Sequence, residues 1–137
     1  MTFASLMLLA ALAAEPTKTT PLEMLATCYL DDAKVDATLL HHVVDVTSRV
    51  TTVGRDGIGG YVVNMDGELR SAEFIARINV QCFFDASQRE MVAAIGHGRE
   101  AMIRGVVRRI DDDSQRYVDA NVKVVMKNCQ LLVGGVE

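Results

Sequence analysis

The stretch from Ile78 to Ile95, INVQCFFDASQREMVAAI, constrains the fold more than any other, because its hydrophobic period changes in the middle. Ile78, Val80, Cys82 and Phe84 alternate with Asn79, Gln81 and Phe83, the period of two that gives a strand one buried face. Beyond Asp85 the apolar residues fall at Met91, Val92 and Ile95, the spacing of one helix face. Ser87 followed by Glu90 reads as a capping box, in which each side chain satisfies a backbone N–H that the first helical turn leaves unpaired. Gly96 or Gly98 then supplies a residue suited to ending the helix. A strand running directly into an amphipathic helix demands further strands around it.

The 137 residues allow one domain of ordinary size. Part of the apolar content lies in Thr2–Ala14, TFASLMLLAALAA, which matches the h-region of an export signal and is shorter than the roughly 20 residues of a membrane span. Ala11-Leu12-Ala13 offers the small-x-small pattern of a cleavage site, although no Lys or Arg precedes the run. The expected organisation is a leader over 1–14, a polar linker over 15–20, a folded domain over 21–133 and a flexible tail over 134–137. A periplasmic or secreted location follows, with no stable membrane span once the leader is cleaved. No Cys follows the run, so a lipid anchor is not expected.

Within the domain, Thr20-Pro21-Leu22-Glu23 joins an N-cap, a first-turn proline and an acidic third position, a strong helix start. Leu22, Leu25, Ala26 and Tyr29 are its expected buried face, with the helix running to about Asp31. Asp32–Ala37 accommodates a second short turn. From His42 to Val53, Val44, Val46, Ser48 and Val50 alternate with Asp45, Thr47, Arg49 and Thr51, giving a first strand. Gly54–Gly60 is a glycine-rich turn, Tyr61–Met65 a second strand and Asp66-Gly67 a hairpin turn. The third strand covers about Glu73–Phe84. Ala101–Ile110 is the fourth, with Gly105 placed for a bend or bulge, and Asp111–Ser114 a solvated loop. Asn121–Val133 is the fifth.

The predicted class is mainly β with two helices. Five bent strands, an N-terminal helix and a helix between strands three and four describe an OB-fold, a small Greek-key barrel. The chain from about Pro21 to Leu132 resembles the tRNA-anticodon-domain-like family of bacterial OB-fold proteins, many of them exported. The resemblance rests on VQCFFD leading into a helix, IRGVV in the fourth strand and VMKNCQLL in the last. Leu40, His41 and His42 replace the lysine and glycine usual before the first strand of that family, and Ser48 stands where glycine is common. The resemblance implies a fold; a fold by itself does not transfer an activity.

Candidate chemistry is sparse. Cys82 and Cys129 fall on strands that neighbour each other in an OB barrel, so either a disulfide or two buried thiols is expected, with export favouring the bond. Cys28 reads as a packing residue. No C-x-x-C is present, and neither thioredoxin-like chemistry nor structural zinc is supported. His41-His42 with His97 is the only histidine grouping, and adjacent residues entering a strand face opposite ways, so no metal site is expected. Asp111–Asp113 lacks the alternating spacing of a calcium loop. Gly54-Arg55-Asp56-Gly57-Ile58-Gly59-Gly60 lacks the strand-to-helix junction of a phosphate-cradling loop.

Arg104 and Arg108 should share the outward face of the fourth strand, with Arg109 at its end and Arg77 on the third. They form a candidate anion-binding face, set against the alternative that each pairs with a nearby carboxylate. The net charge of −4 argues against a surface built mainly to neutralise phosphates, and 5% aromatic residues leave few platforms for stacked bases. No acid, base and nucleophile converge, so no enzyme and no cofactor is expected. The expectation is a non-catalytic exported module that binds a protein, glycan or anionic polymer through its barrel face and the loops after strands one and four. The alternative is a nucleic-acid-binding protein using Arg77, Arg104 and Arg108.

Overall fold

A computed structural model describes residues 15–114 and 119–134. The expected leader, and all of the expected tail except Gly134, lie outside the described residues. In chain order the elements are β1 (Thr17–Thr19), α1 (Pro21–Leu30), α2 (Asp32–Thr38), β2 (Val43–Arg49), β3 (Thr52–Arg55), β4 (Tyr61–Arg70), β5 (Ile75–Phe84), a 3-10 turn (Ala86–Gln88), α3 (Arg89–Ala93), β6 (Glu100–Ser114) and β7 (Asp119–Gly134).

The chain is mainly β and OB-like, but its strand count differs from the expected five. Among the described residues seven strands form one sheet in the order β1-β2-β6-β7-β5-β4-β3. β1 with β2 and β5 with β7 are parallel, and every other pair is antiparallel. Part of the excess comes from the expected first strand, which divides into β2 and β3 because its two halves serve different neighbours. Val50 N donates to Arg99 O at 2.9 Å and Val50 O accepts from Gly98 N at 2.7 Å, whereas Thr51 N donates to Asn64 O of β4 at 2.8 Å. Two consecutive residues thus link opposite ends of the ladder. The sheet curls back on itself and is joined there by covalent chain; β2 and β3 do not pair with each other, so the described residues form no closed hydrogen-bonded barrel.

The other extra strand lies in the expected linker, where Thr17–Thr19 pairs in parallel with Val44–Val46. The expected hairpin turn at Asp66-Gly67 is also displaced, since β4 continues through both residues to Arg70. Packing explains why. Gly67 lies opposite Ile78, and a Cβ there would approach Ile78 Cγ2 and Leu22 Cδ2 at 3.1 Å and Pro21 Cβ at 3.3 Å. The glycine seats α1 on the sheet, and the turn forms instead at 71–74, where Ser71 Oγ accepts from Glu73 N and Phe74 N at 3.2 and 3.1 Å. Likewise Asp111–Asp113 belong to β6 and not to a loop, because the register sets Asp111 opposite Lys123.

Thr20 caps α1, its side chain accepting from Glu23 N at 3.2 Å. The buried stripe is Pro21, Met24, Leu25 and Cys28, rotated from the expected one, while Leu22 and Tyr29 stay 42% and 40% exposed. Asp31 caps α2 through Lys34 N at 3.1 Å. At the opposite end of β4, the strand-to-helix junction is capped by Asp85, which accepts from Ser87 N at 2.9 Å and from the Ser87 hydroxyl, so Ser87 is a donor and not the expected cap. The helix is short: a 3-10 turn precedes five α-helical residues, with Val92 and Ile95 buried. Between these helices the core gathers Val44, Val46, Val63, Met65, Ile78, Val80, Cys82, Phe84, Ile103, Val107, Val124, Met126 and Cys129. Burial on this scale contributes about 1.5–3 kcal/mol per large side chain.

Candidate binding surface

The arginines singled out on the outward sheet face are mostly engaged. Arg104 stands directly opposite Asp45 and holds it with both arms, Nε to Oδ1 at 2.8 Å and Nη2 to Oδ2 at 3.0 Å. Asp45 is only 3% exposed, so this fork supplies the counter-charge that lets a carboxylate sit inside the sheet. Arg77 donates to Glu68 Oε1 at 3.2 Å and Arg70 to Oε2 of the same carboxylate at 3.1 Å. The Arg70 hydrogen bond, joined by the positive charge of both arginines, holds the Glu68 carboxyl below its ordinary range. Arg109 pairs with Asp111 at 3.0 Å. Arg108 is exposed and has no ion pair among the described residues.

The same face carries a polar ladder. Asn79 Nδ2 donates to Asp66 Oδ1 at 2.7 Å and to Asn64 Oδ1 at 3.2 Å, and Asn64 Nδ2 donates to Thr52 Oγ1 at 2.9 Å. Phe83 sits beside this row under the Lys127 ammonium, which lies 3.7 Å from the ring centroid. These groups bind one another and fix strand register; they offer little free hydrogen-bonding capacity to a ligand.

A different place does offer it. A cleft of about 730 Å³ lies between β3 and the segment from Arg89 to His97. Val53, Tyr61, Val92 and Ile95 give it an apolar floor, and Arg55, Arg89 and His97 rim it. A second recess of about 460 Å³ adjoins it, shares Arg55, Tyr61 and Arg89, and is closed by the 57–60 loop. Neither is lined by Asp or Glu. Among the described residues Arg55 and Arg89 have no carboxylate partner.

Register explains the convergence. Arg55 pairs with Tyr61, and Tyr61 with Phe84, so the end of β3 is brought beside the exit of β5, where the chain turns into α3 and presents Arg89. The glycine-rich loop between β3 and β4 is tied down by Asp56 Oδ1, which accepts from Ile58 N and Gly60 N, both at 2.9 Å. Ile58 is left 89% exposed at its tip. Sequence reasoning passed over Arg55 and Arg89 because they are far apart in the chain; the available signal was an arginine inside the glycine loop and another at the start of a helix predicted to pack nearby.

The histidines do not come together as a site. His42 Nε2 lies 3.2 Å from Asp36 O, His41 has a left-handed backbone (φ 66°), and His97 is on the cleft rim. Among the described residues no three His, Cys, Asp or Glu side chains are arranged to hold a metal ion. Cys82 and Cys129 are both fully buried on the neighbouring strands β5 and β7. The hydrogen bond that the Cys82 thiol donates to the Cys129 side chain, reinforced by burial, pushes the Cys82 thiol well above its ordinary range. Cys28 is buried on α1.

No protein-family model matches the chain, and no curated protein matches it. Among solved structures it is similar to one from Klebsiella pneumoniae described as a "putative nucleic acid-binding lipoprotein", at 19% identity and a TM-score of 0.60, over 90% of this chain and 97% of that one. It is also similar to a "putative aspartyl-tRNA synthetase" from Leishmania major, at 12% identity and a TM-score of 0.45, over 85% of this chain and 21% of that one. The first likeness is one of fold. Among the described residues no helix is long and apolar enough to cross a membrane.

Proposed function

We propose that the protein is a non-catalytic, exported binding module of OB type that takes an anionic polymer at the cleft rimmed by Arg55, Arg89 and His97. The observation that carries this reading is the contrast between its arginines. Arg70, Arg77, Arg104 and Arg109 each have a carboxylate within 3.2 Å, whereas Arg55 and Arg89 flank one concavity without any. An unpaired guanidinium keeps its donors for a ligand and presents them in the planar fork that suits phosphate, sulfate or carboxylate. The apolar floor supplies contact area, and the Asp56-tied loop holds one wall in place without the ligand. The proposed site thus uses the loop after the expected first strand, one of the two loops the sequence pointed to, and leaves aside Arg77 and Arg104, whose donors are engaged. Export rests on the apolar run over 2–14.

Single-stranded nucleic acid is the second reading, favoured by the description of the Klebsiella protein and by its shared fold. It makes labelled single-stranded DNA the first probe and heparin the second, both followed by fluorescence anisotropy at low and moderate salt. Binding that weakens with salt and is lost in Arg55→Gln/Arg89→Gln supports the cleft, each removed contact lowering the salt slope by about 1. Preference for DNA over heparin at matched charge selects the second reading. No binding to either polymer at low salt, or undiminished binding by the double variant, refutes the proposal.

A further inference from the structure

The neighbourhood of Cys129 is shaped around its sulfur. Along β6 and β7, Val106 pairs with Lys127 and Arg104 with Gln130, so Gly105 alone faces both Asn128 and Cys129. This is a β-bulge, and Asn128 takes the left-handed conformation it needs (φ 55°), which asparagine adopts more readily than most residues. The extra residue swings Cys129 into the core. A Cβ on Gly105 would fall 2.7 Å from Cys129 Sγ, so the glycine is the space in which that sulfur sits. On the other side, β5 runs parallel to β7 and its register ends with Cys82 opposite Met126, three positions before Cys129; both cysteines are free thiols here, and the Cys82 thiol shares a hydrogen bond with the Cys129 side chain.

We propose that Cys82 and Cys129 close into a disulfide through the core when the chain folds in an oxidising compartment, Cys28 keeping its thiol. In the step, one cysteine as thiolate attacks a small-molecule disulfide and expels one thiol. The second cysteine then attacks the mixed disulfide and expels the other. Two S–H groups are exchanged for one S–S bond, and the oxidant leaves as two thiols carrying the electrons and protons. Timing is set by burial. Both sulfurs are inaccessible in the folded chain, and exchange needs an exposed thiolate, so the bond forms before the core shuts. Once the core has shut, the pair keeps the redox state in which the chain folded.

The experiment uses the full chain, reduced and unfolded in urea, then refolded by dilution into either reduced glutathione or a mixture of reduced and oxidised glutathione. Each product is denatured without reductant, alkylated with iodoacetamide and read by intact mass and peptide mapping. After oxidative refolding one of the three cysteines should be alkylated, at Cys28, with a cross-linked peptide joining Cys82 to Cys129. After reductive refolding all three should be. A Cys28→Ala chain should lose every alkylation under oxidation, which guards against Cys28 masking the result. Adding the same oxidant to chain already folded in its reduced form should close the bond at least tenfold more slowly. Full alkylation after oxidative refolding, or a cross-link through Cys28, overturns the pairing; equally fast oxidation of the folded chain overturns the timing.

Discussion

Gly105→Ala tests the packing around the bulge most directly. An added methyl would meet Cys129 Sγ at 2.7 Å, Met126 Cε at 3.0 Å and Lys127 O at 3.2 Å. The methionine tip can swing away, but Sγ is held by the bulge and the carbonyl belongs to the backbone. Overpacking of this kind costs about 1–3 kcal/mol. Against it, Gly105 lies outside the positive-φ set, so alanine is conformationally allowed and restores about 0.5–1 kcal/mol lost to a glycine in a strand. The net expectation is a loss of about 1–2 kcal/mol. Cys129→Ala alone should cost about 1 kcal/mol, the value of one small buried group. In combination the two should cost less than their sum by about 1 kcal/mol, because removing Sγ removes the nearest collision. Urea unfolding of the four proteins under reductant, with unchanged m-values, measures this. Additivity within about 0.3–0.5 kcal/mol would show that the glycine does not serve the cysteine.

Two further outcomes follow from the same geometry. Gly60→Ala places a methyl 2.6 Å from both Phe84 O and Asp56 Oδ2, so it should destabilise by about 1–3 kcal/mol in thermal melts and weaken cleft binding in anisotropy titrations, whereas Gly54→Ala, whose methyl meets nothing within 4 Å, should leave the melting temperature unchanged. Because Glu68 has a folded-state pKa below its ordinary 4.5, its stabilising contribution is present above that value and lost as pH falls through the lowered one. An NMR titration of the Glu68 carboxyl should show the depressed midpoint returning toward 4.5 in Arg70→Gln, and an unchanged midpoint would refute the Arg70 assignment.

The parts of the fold written in local chemistry were legible. Alternation from Ile78 to Phe84 marks β5, and Thr20-Pro21 marks the start of α1. What the sequence hid depends on partners distant in the chain. Gly67 looks like a turn residue until Pro21 and Leu22 are seen above it. Asp111 looks like a loop residue until the register sets it in a strand against Lys123. The division of β2 from β3 has no local signal at Val50-Thr51, because it arises from a change of neighbour. The arginine face was expected from alternation along two strands, Arg77 on one and Arg104 and Arg108 on the other, but parity says nothing about counter-ions, and Asp45 and Glu68 come from other strands. Arg55 and Arg89 were missed for the converse reason.

The order of the sheet also sets a clock. β4–β5 is a hairpin closed by the 71–74 turn, and β6–β7 joins consecutive strands, so both ladders grow from contacts near in sequence. β2 must wait for β6, with Asp45 and Arg104 separated by 59 positions, and β5 must find β7 across the whole of β6. Chains dominated by such distant pairings search for milliseconds to seconds before they condense. The parallel β5–β7 seam holds Cys82 against Cys129, so its assembly ends that search and fixes how long an oxidant has access to the two sulfurs.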